Sequence, residues 1–337
     1  MKKWIALGFA LIAALVLLLM PDRDKLQYYH NQGNIFGTYY SIKYEATEDL
    51  HHVIQSALQA VDNSLSMFNA NSVISKVNRN DSIILDSLFI TMYKEAVEIS
   101  KLSNGAFDIT VAPMVHAWGF GKNAGQKKES TDINIDSLKQ FVGYNKIDLH
   151  NKQIIKQDPR TTLDASAIAK GYGCDVVANA LRAKGCKNLL VDIGGEVVLE
   201  GLNQEGNAWR VGISKPKKDA NGTESSLQKI IESTNLCMAT SGNYLQYYYV
   251  GNQRRSHTID PRSGYPVEHS LLSATICASS CMRADALATA CMVLGEKEAL
   301  KLIECIPDAS CYFIIADADR LRVTTSSRWL HTEHIKP

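Results

Sequence analysis

Residues 271–325 carry the order of elements that decides the fold: LLSATICA (271–278), DALATACMVL (285–294), KEALKLIECI (297–306), YFIIA (312–316) and RLRVTT (320–325). The β-branched run at 271 reads as a strand, and the alanine- and leucine-rich segments at 285 and 297 read as two helices. The last two pieces read as a hairpin turning through Asp317-Ala318-Asp319. Strand, helix, helix and hairpin do not alternate, so the order favours an α+β fold over a doubly wound parallel sheet.

The rest of the chain extends this mixture. Gly37–Tyr44 has strand composition, and apolar residues recur at helical spacing from Leu50 to Phe68. Leu88–Ser103 reads as a helix stopped by Asn104-Gly105, and Ala165–Lys184 as a helix stopped by Gly185. Leu189–Glu200 holds two short strands around Gly194-Gly195, and Trp209–Ser214, Gln228–Ser241 and Tyr244–Val250 add further strands. The polar run 121–132 reads as a loop. Neither an internal repeat nor a low-complexity linker divides the chain, so residues 23–337 are expected to form one catalytic unit.

Bulk properties narrow the function. The 337 residues are 45% hydrophobic and 21% charged, with a net charge of +1, which is ordinary for a globular protein. No basic run with interleaved aromatics is present, so no nucleic acid is expected as a partner. Lys2 and Lys3 precede an apolar run from Trp4 to Met20 with no small-x-small cleavage site after it. Residues 1–22 are therefore expected to anchor the chain in the inner membrane, lysines inside and the catalytic domain facing the periplasm or exterior, a cleaved signal being the alternative. The eight cysteines are irregularly spaced in apolar surroundings and read mostly as core residues, with Cys305 and Cys311 the pair to test for a disulfide.

Chemistry concentrates in a few motifs. Asp285 and Thr289 lie four residues apart in a helix-forming segment, share a face, and offer hard oxygens suited to magnesium or calcium. Ser256-His257-Thr258-Ile259-Asp260-Pro261-Arg262-Ser263-Gly264 puts a histidine, an aspartate and an arginine on one turn. A histidine beside a hard cation suggests chemistry on a phosphate ester. Asp164 stands where a helix N-cap would stand, ahead of small residues and Lys170, a candidate phosphate contact; a well-capped, tightly packed helix reads equally well. Ala106-Phe107-Asp108 follows the Asn104-Gly105 turn, where Phe107 can flank a flat ring and Asp108 accept from it, unless the segment is a plain turn into an edge strand. Asp192-Ile193-Gly194-Gly195-Glu196 is a tight turn without the Gly-x-Gly-x-x-Gly spacing of a dinucleotide fingerprint. Phe68 stands at a helix end, where an aromatic is usually core.

In order and spacing, GTYYSIKY, LSMFNANSVISKVN, GAFDITVAP, LDASAIAKGY, VDIGGE, ATSGNY, SHTIDPRSG and ADALATA resemble the ApbE family of FAD:protein FMN transferases over residues 34–325. The resemblance implies a T-fold-like α+β architecture and a magnesium-dependent transferase outside the cytoplasmic membrane. Such an enzyme passes the FMN half of FAD to a Ser or Thr hydroxyl of a partner protein and releases AMP. The implied acceptor is a subunit of a sodium-pumping NADH:quinone oxidoreductase or an Rnf-type complex. It further implies Asp285, Thr289 and the carbonyl of Ala167 as magnesium ligands. Phe36, Phe68, Ala106, Phe107, Asp108, Asp164, Lys170 and Ile259 would bind the flavin nucleotide. His257 would lie near the phosphate under attack, and an imidazole's ordinary pKa of about 6.5 suits a general base; Asp260 would orient it or act as the base itself. Phe36 and Phe68 stand where the family often has Met and Tyr. An FAD pyrophosphatase using water as acceptor, and an FAD-binding protein without turnover, are the rival readings.

Overall fold

The structure is a computed structural model that describes residues 25–121, 133–216, 227–243, 247–250, 253–318 and 320–329. The expected anchor, most of the 121–132 loop, and Asp319 of the last turn lie outside the described residues. Among the described residues no helix is long and apolar enough to cross a membrane.

An eight-stranded antiparallel sheet forms the spine, in the order β1-β2-β5-β6-β9-β12-β13-β14. Its strands are β1 (Gln27–Ile35), β2 (Thr38–Ala46), β5 (Leu189–Ile193), β6 (Glu196–Glu200), β9 (Asn235–Gly242), β12 (Leu271–Cys277), β13 (Ser310–Asp317) and β14 (Arg320–Thr325). Three two-stranded ribbons accompany it: β3 (Ile147–His150) with β4 (Gln153–Lys156), β7 (Trp209–Ser214) with β8 (Leu227–Ser233), and β10 (Tyr247–Val250) with β11 (Gln253–Ser256). The described helices are α1 (His51–Leu65), α2 (Val73–Asn78), α3 (Ser87–Leu102), α4 (Ala112–Ala117), α5 (Ile135–Lys139), α6 (Ala169–Ala183), α7 (Cys281–Leu294) and α8 (Glu296–Glu304).

Strand alternation sorts side chains onto two covered faces. On one, Leu189, Val191, Ile193 and Val198 pack with α1 and α6; on the other, Val197 and Leu199 pack with Trp209, Ile213, Ile231 and Trp329. A third cluster joins α3, α7, β12 and β13 through Phe89, Met92, Leu287, Ile276 and Phe313. α7 is buried almost all round, including Ala284, Ala286, Leu287, Ala288 and Ala290, which makes it the central helix of the molecule. Its small side chains let α6 and the strands β9 and β12 close on it.

Several boundaries differ from expectation. The helix expected from Ala165 starts at Ala169, because 165–168 form a turn first. α7 begins at Cys281 rather than Asp285, capped by the Ser280 hydroxyl, which accepts from the Arg283 N–H. Gln228–Ser241 divides at Thr234 into β8 and β9, which pair with different neighbours. β1 has no expected counterpart; it joins β2 through Phe36-Gly37, both at positive φ, as a two-residue hairpin turn requires. All eight cysteines are free thiols. Cys305 caps the end of α8 and is exposed, whereas Cys311 is buried in β13, so the pairing considered for them is not formed.

Candidate functional site

α6 and α7 meet head to head with an unusually close approach. A side chain on Gly171 would lie 2.3 Å from the Cys281 carbonyl oxygen, so only glycine fits there. The first N–H groups of a helix lack internal partners, and here each helix supplies the other's. Asp285 on α7 accepts from the Gly171 N–H of α6 at 3.0 Å. Asp175 on α6 accepts from the Cys281 and Met282 N–H groups of α7 at 3.0 and 2.8 Å. Burial pushes the Asp175 carboxyl up to about 6, against those two hydrogen bonds.

This junction forms one wall of a cavity of about 400 Å³. Asp285 is 2% exposed and still lines it, together with Thr289 one turn along and Lys170 of α6. The Thr289 hydroxyl lies 3.3 Å from that of Ser241 on β9, which also lines the cavity. Lys170 Nζ donates to Glu196 Oε1 at the start of β6. Burial works against the lysine's charge, but Asp285 and Glu196 outweigh it and raise the pKa. Burial likewise raises the Glu196 carboxyl, against the pull of Lys170 and with a further push from Asp285.

Loops make the opposite wall. The Asp108 carboxylate accepts from the Thr110 N–H and hydroxyl at 2.8 and 2.7 Å and from the Tyr144 N–H at 2.6 Å. Asp108 is therefore spent on fixing its own loop, although it lines the cavity; burial raises its carboxyl and these bonds oppose the rise. Asp164 accepts from the Ser166 N–H and hydroxyl at 2.7 and 2.6 Å, so it closes the turn ahead of α6 instead of capping the helix. Ala106, Phe107 and Ile259 complete this side, with Phe107 and Ile259 also buried in packing clusters, while Ala167 lines the cavity from the turn that leads into α6. Phe68 lies beyond the end of α1, 74% exposed at the cavity, contrary to the usual core position of such an aromatic.

His257 lines the cavity with its ring edge to Phe120, centroids 6.4 Å apart. Its turn is closed by Gly264 N–H donating to the Asp260 carbonyl at 2.7 Å, and Trp118 Nε1 donates to the Gly264 carbonyl at 2.8 Å. Gly264 has φ +84, within the region that glycine adopts freely. Two expected site residues stay off the cavity lining. Both Asp260 oxygens accept from Arg262, at 2.9 Å each. Phe36, at φ 52, lays its ring on Gly173 of α6, where an added side chain would meet it at 2.8 Å.

Eleven of the thirteen residues singled out from sequence thus share one cavity, despite spanning positions 68–289. Sequence reasoning missed Glu196 and Ser241. The first sits in a turn noticed only for its glycines; the second was legible only as part of the ATSGNY segment. Asp285, Thr289 and Ala167 all line the cavity and offer hard oxygens, whereas among the described residues no group of three or more His, Cys, Asp or Glu could hold a metal ion.

The ApbE family model matches residues 36–313. A FAD:protein FMN transferase of Vibrio cholerae is 35% identical over 314 residues, 90% of this chain and 91% of its own. That of Haemophilus influenzae is 34% identical over 342 residues, 97% of both chains. Among solved structures, the flavin transferase ApbE from Vibrio cholerae superposes with a TM-score of 0.80 at 32% identity, covering 91% of this chain and all of that one. The apo flavinyl transferase ApbE of Pseudomonas stutzeri gives 0.80 at 28% identity, covering 93% and 98%.

Proposed function

Because the chain belongs to the ApbE family, we infer that it is an FAD:protein FMN transferase, an enzyme that flavinylates a partner protein. The observation that carries this reading is the convergence of Lys170, Asp285, Thr289 and His257 on one cavity with an exposed aromatic, Phe68, beside it.

In the reaction, an acceptor hydroxyl oxygen forms a bond to the flavin-side phosphorus of FAD. The bridging P–O bond breaks, AMP leaves with the electron pair, and the hydroxyl proton passes to a base. Lys170 would oppose the pyrophosphate charge from the helix wall. His257 would take and hold the acceptor's proton. Phe68 would supply an aromatic face for a flavin or adenine ring, and Ala106, Phe107 and Ile259 apolar wall. Asp108 and Asp164 would shape the two loops that meet the nucleotide, and Asp260 with Arg262 would hold the turn that carries His257. Phe36 would act at one remove, through its contact with Gly173.

Asp285, Thr289 and the Ala167 carbonyl fit magnesium, which is commonly held by one or two carboxylates plus substrate phosphates and water. Bound there, magnesium would neutralise charge developing on the transferring and leaving phosphates.

The acceptor we propose is a Ser/Thr-bearing subunit of a sodium-pumping NADH:quinone oxidoreductase or an Rnf-type complex. We further propose that residues 1–22 place the enzyme on the outer face of the inner membrane; recovery of a shortened soluble protein from the periplasm would replace the anchor with a cleaved signal. Mass spectrometry of an acceptor segment of the form Asp-Gly-x-Ser/Thr-x-Thr, incubated with enzyme, FAD and Mg2+, tests the transfer. The expected result is one added FMN; free FMN and AMP with an unmodified acceptor would mean that water is the acceptor, and unchanged FAD would mean a binding protein.

A further inference from the structure

We infer that Glu196 is a positioning residue that aims Lys170 at the pyrophosphate, an inference that rests on reading Lys170 as a phosphate contact. Glu196 is 2% exposed and opens β6 directly after Gly194 and Gly195, at φ 65 and 100. Those positive φ values, with Asp192 accepting from the Gly195 N–H at 2.9 Å, turn the chain sharply enough to deliver the carboxylate beneath α6. Oε1 accepts from Lys170 Nζ. Oε2 is buried without a donor from another residue among the described residues, so the carboxylate's side-chain partner is Lys170.

The arrangement makes poor sense as a source of stability. An ion pair with one partner fully buried, here Glu196, gains little over its own desolvation, and an apolar pair of equal volume would often serve the fold better. It makes sense as a restraint on the ammonium. A lysine carries a flexible four-carbon stem and about 2 kcal/mol of rotamer freedom, so an unanchored Nζ would spread over many positions. Glu196 holds it from behind. Glu196 does not line the cavity, whereas Lys170 does, so Glu196 acts on substrate only through the lysine. Asp285 also raises the lysine's pKa through its field, yet its bonded oxygen is taken by Gly171, leaving Glu196 as the hydrogen-bonded anchor.

A double-mutant cycle on the full chain tests this: wild type, Glu196→Gln, Lys170→Met and the double variant. The readouts are FAD affinity by flavin fluorescence in the presence of Mg2+, kcat and KM for FMN transfer, and thermal stability. Glu196→Gln is expected to weaken FAD binding and lower kcat/KM on the order of 10- to 100-fold, the range for a hydrogen bond to a charged group. Lys170→Met should cost at least as much, and the double variant no more than Lys170→Met alone. Glu196→Asp should recover part of the loss. Additive losses in the double variant, or wild-type kcat/KM and affinity in Glu196→Gln, would overturn the inference. If Glu196→Gln does not fold, the same cycle is built on Glu196→Asp, whose loss must also vanish in the Lys170→Met background. If the wild type binds FAD yet transfers nothing, the transferase reading falls, and the affinity cycle still decides the role of Glu196.

Discussion

On the helix wall of the cavity, Asp175 and Asp285 accept N–H groups more than a hundred positions away along the chain. Among the loops, Asp108 and Asp164 at the cavity and Asp260 in the turn that carries His257 each accept the N–H of the residue two positions ahead. The carboxylates are chemically alike and their tasks are not. The loop aspartates close local turns, and Asp108 adds one distant partner, the Tyr144 N–H. The helix-wall aspartates exist as caps only after α6 and α7 have docked, and the same docking brings Lys170, Asp285 and Thr289 to one surface. Chemistry and stability are therefore coupled on the helix wall and separable on the loop wall.

Substitutions can break that contrast, beginning with the largest effect. Asp285→Ala should abolish FMN transfer, since it removes the proposed metal's only side-chain carboxylate. It should also lower stability by about 1 kcal/mol through the lost cap on α6. Thr289→Ala should be milder. Transfer at near-normal rate in low Mg2+ by Asp285→Ala would separate the metal from this wall. His257→Ala should cut the rate roughly 10²–10⁴-fold while leaving FAD affinity and melting temperature near wild type. Loss of FAD binding in step with rate would make His257 a binding residue instead.

Asp175 offers a pH test of the helix wall. Its carboxyl is raised to about 6 by burial in the folded protein, against roughly 3.9 in an unfolded chain. A raised carboxyl binds its proton more tightly when folded, so this group should favour folding progressively as pH falls from above 6 to below 4, by up to about 3 kcal/mol. Thermal melts of wild type and Asp175→Asn across that range should show the wild type gaining relative to the variant on acidification. The opposite slope would show that the two N–H bonds outweigh burial. Gly171→Ala should cost about 1–3 kcal/mol by driving the two helices apart, with transfer lost in parallel. The smallest effect belongs to Phe68→Ala: unchanged melting temperature, and FAD affinity weaker by about 0.5–1.5 kcal/mol if the ring stacks on the nucleotide.

The same contrast explains what could be read from the chain. The turn residues around 104–108 and 256–264 declare themselves locally, so their positions followed from Gly, Asn, Asp and Pro alone. The starts of α6 and α7 did not, because their caps come from each other: Asp164 mimicked an N-cap for a helix that begins at Ala169, and Ser280 was passed over. β1 escaped notice because QYYHNQGNI is polar and glycine-containing, and it sits at the sheet edge, where one neighbour suffices. Glu196 looked like the tail of a glycine turn; its importance depends on Lys170, which topology supplies and sequence distance hides. The split of β8 from β9 at Thr234 likewise reflects that β8 joins the ribbon with β7 and β9 the eight-stranded sheet, a tertiary fact without a strong local breaker.

The reciprocal caps also set a rule about chain length. Gly171 precedes Asp175 by one helical turn, and Cys281 precedes Asp285 by one turn, so each helix offers an N–H and a carboxylate on the same side. Inserting or deleting a single residue within either turn would swing the carboxylate about 100° around its axis. Both caps would then fail together, and Lys170 would part from Asp285 although every side chain in the cavity kept its identity. A change of length in either stretch should therefore cost stability and transfer at once, as Gly171→Ala is expected to do by a different route.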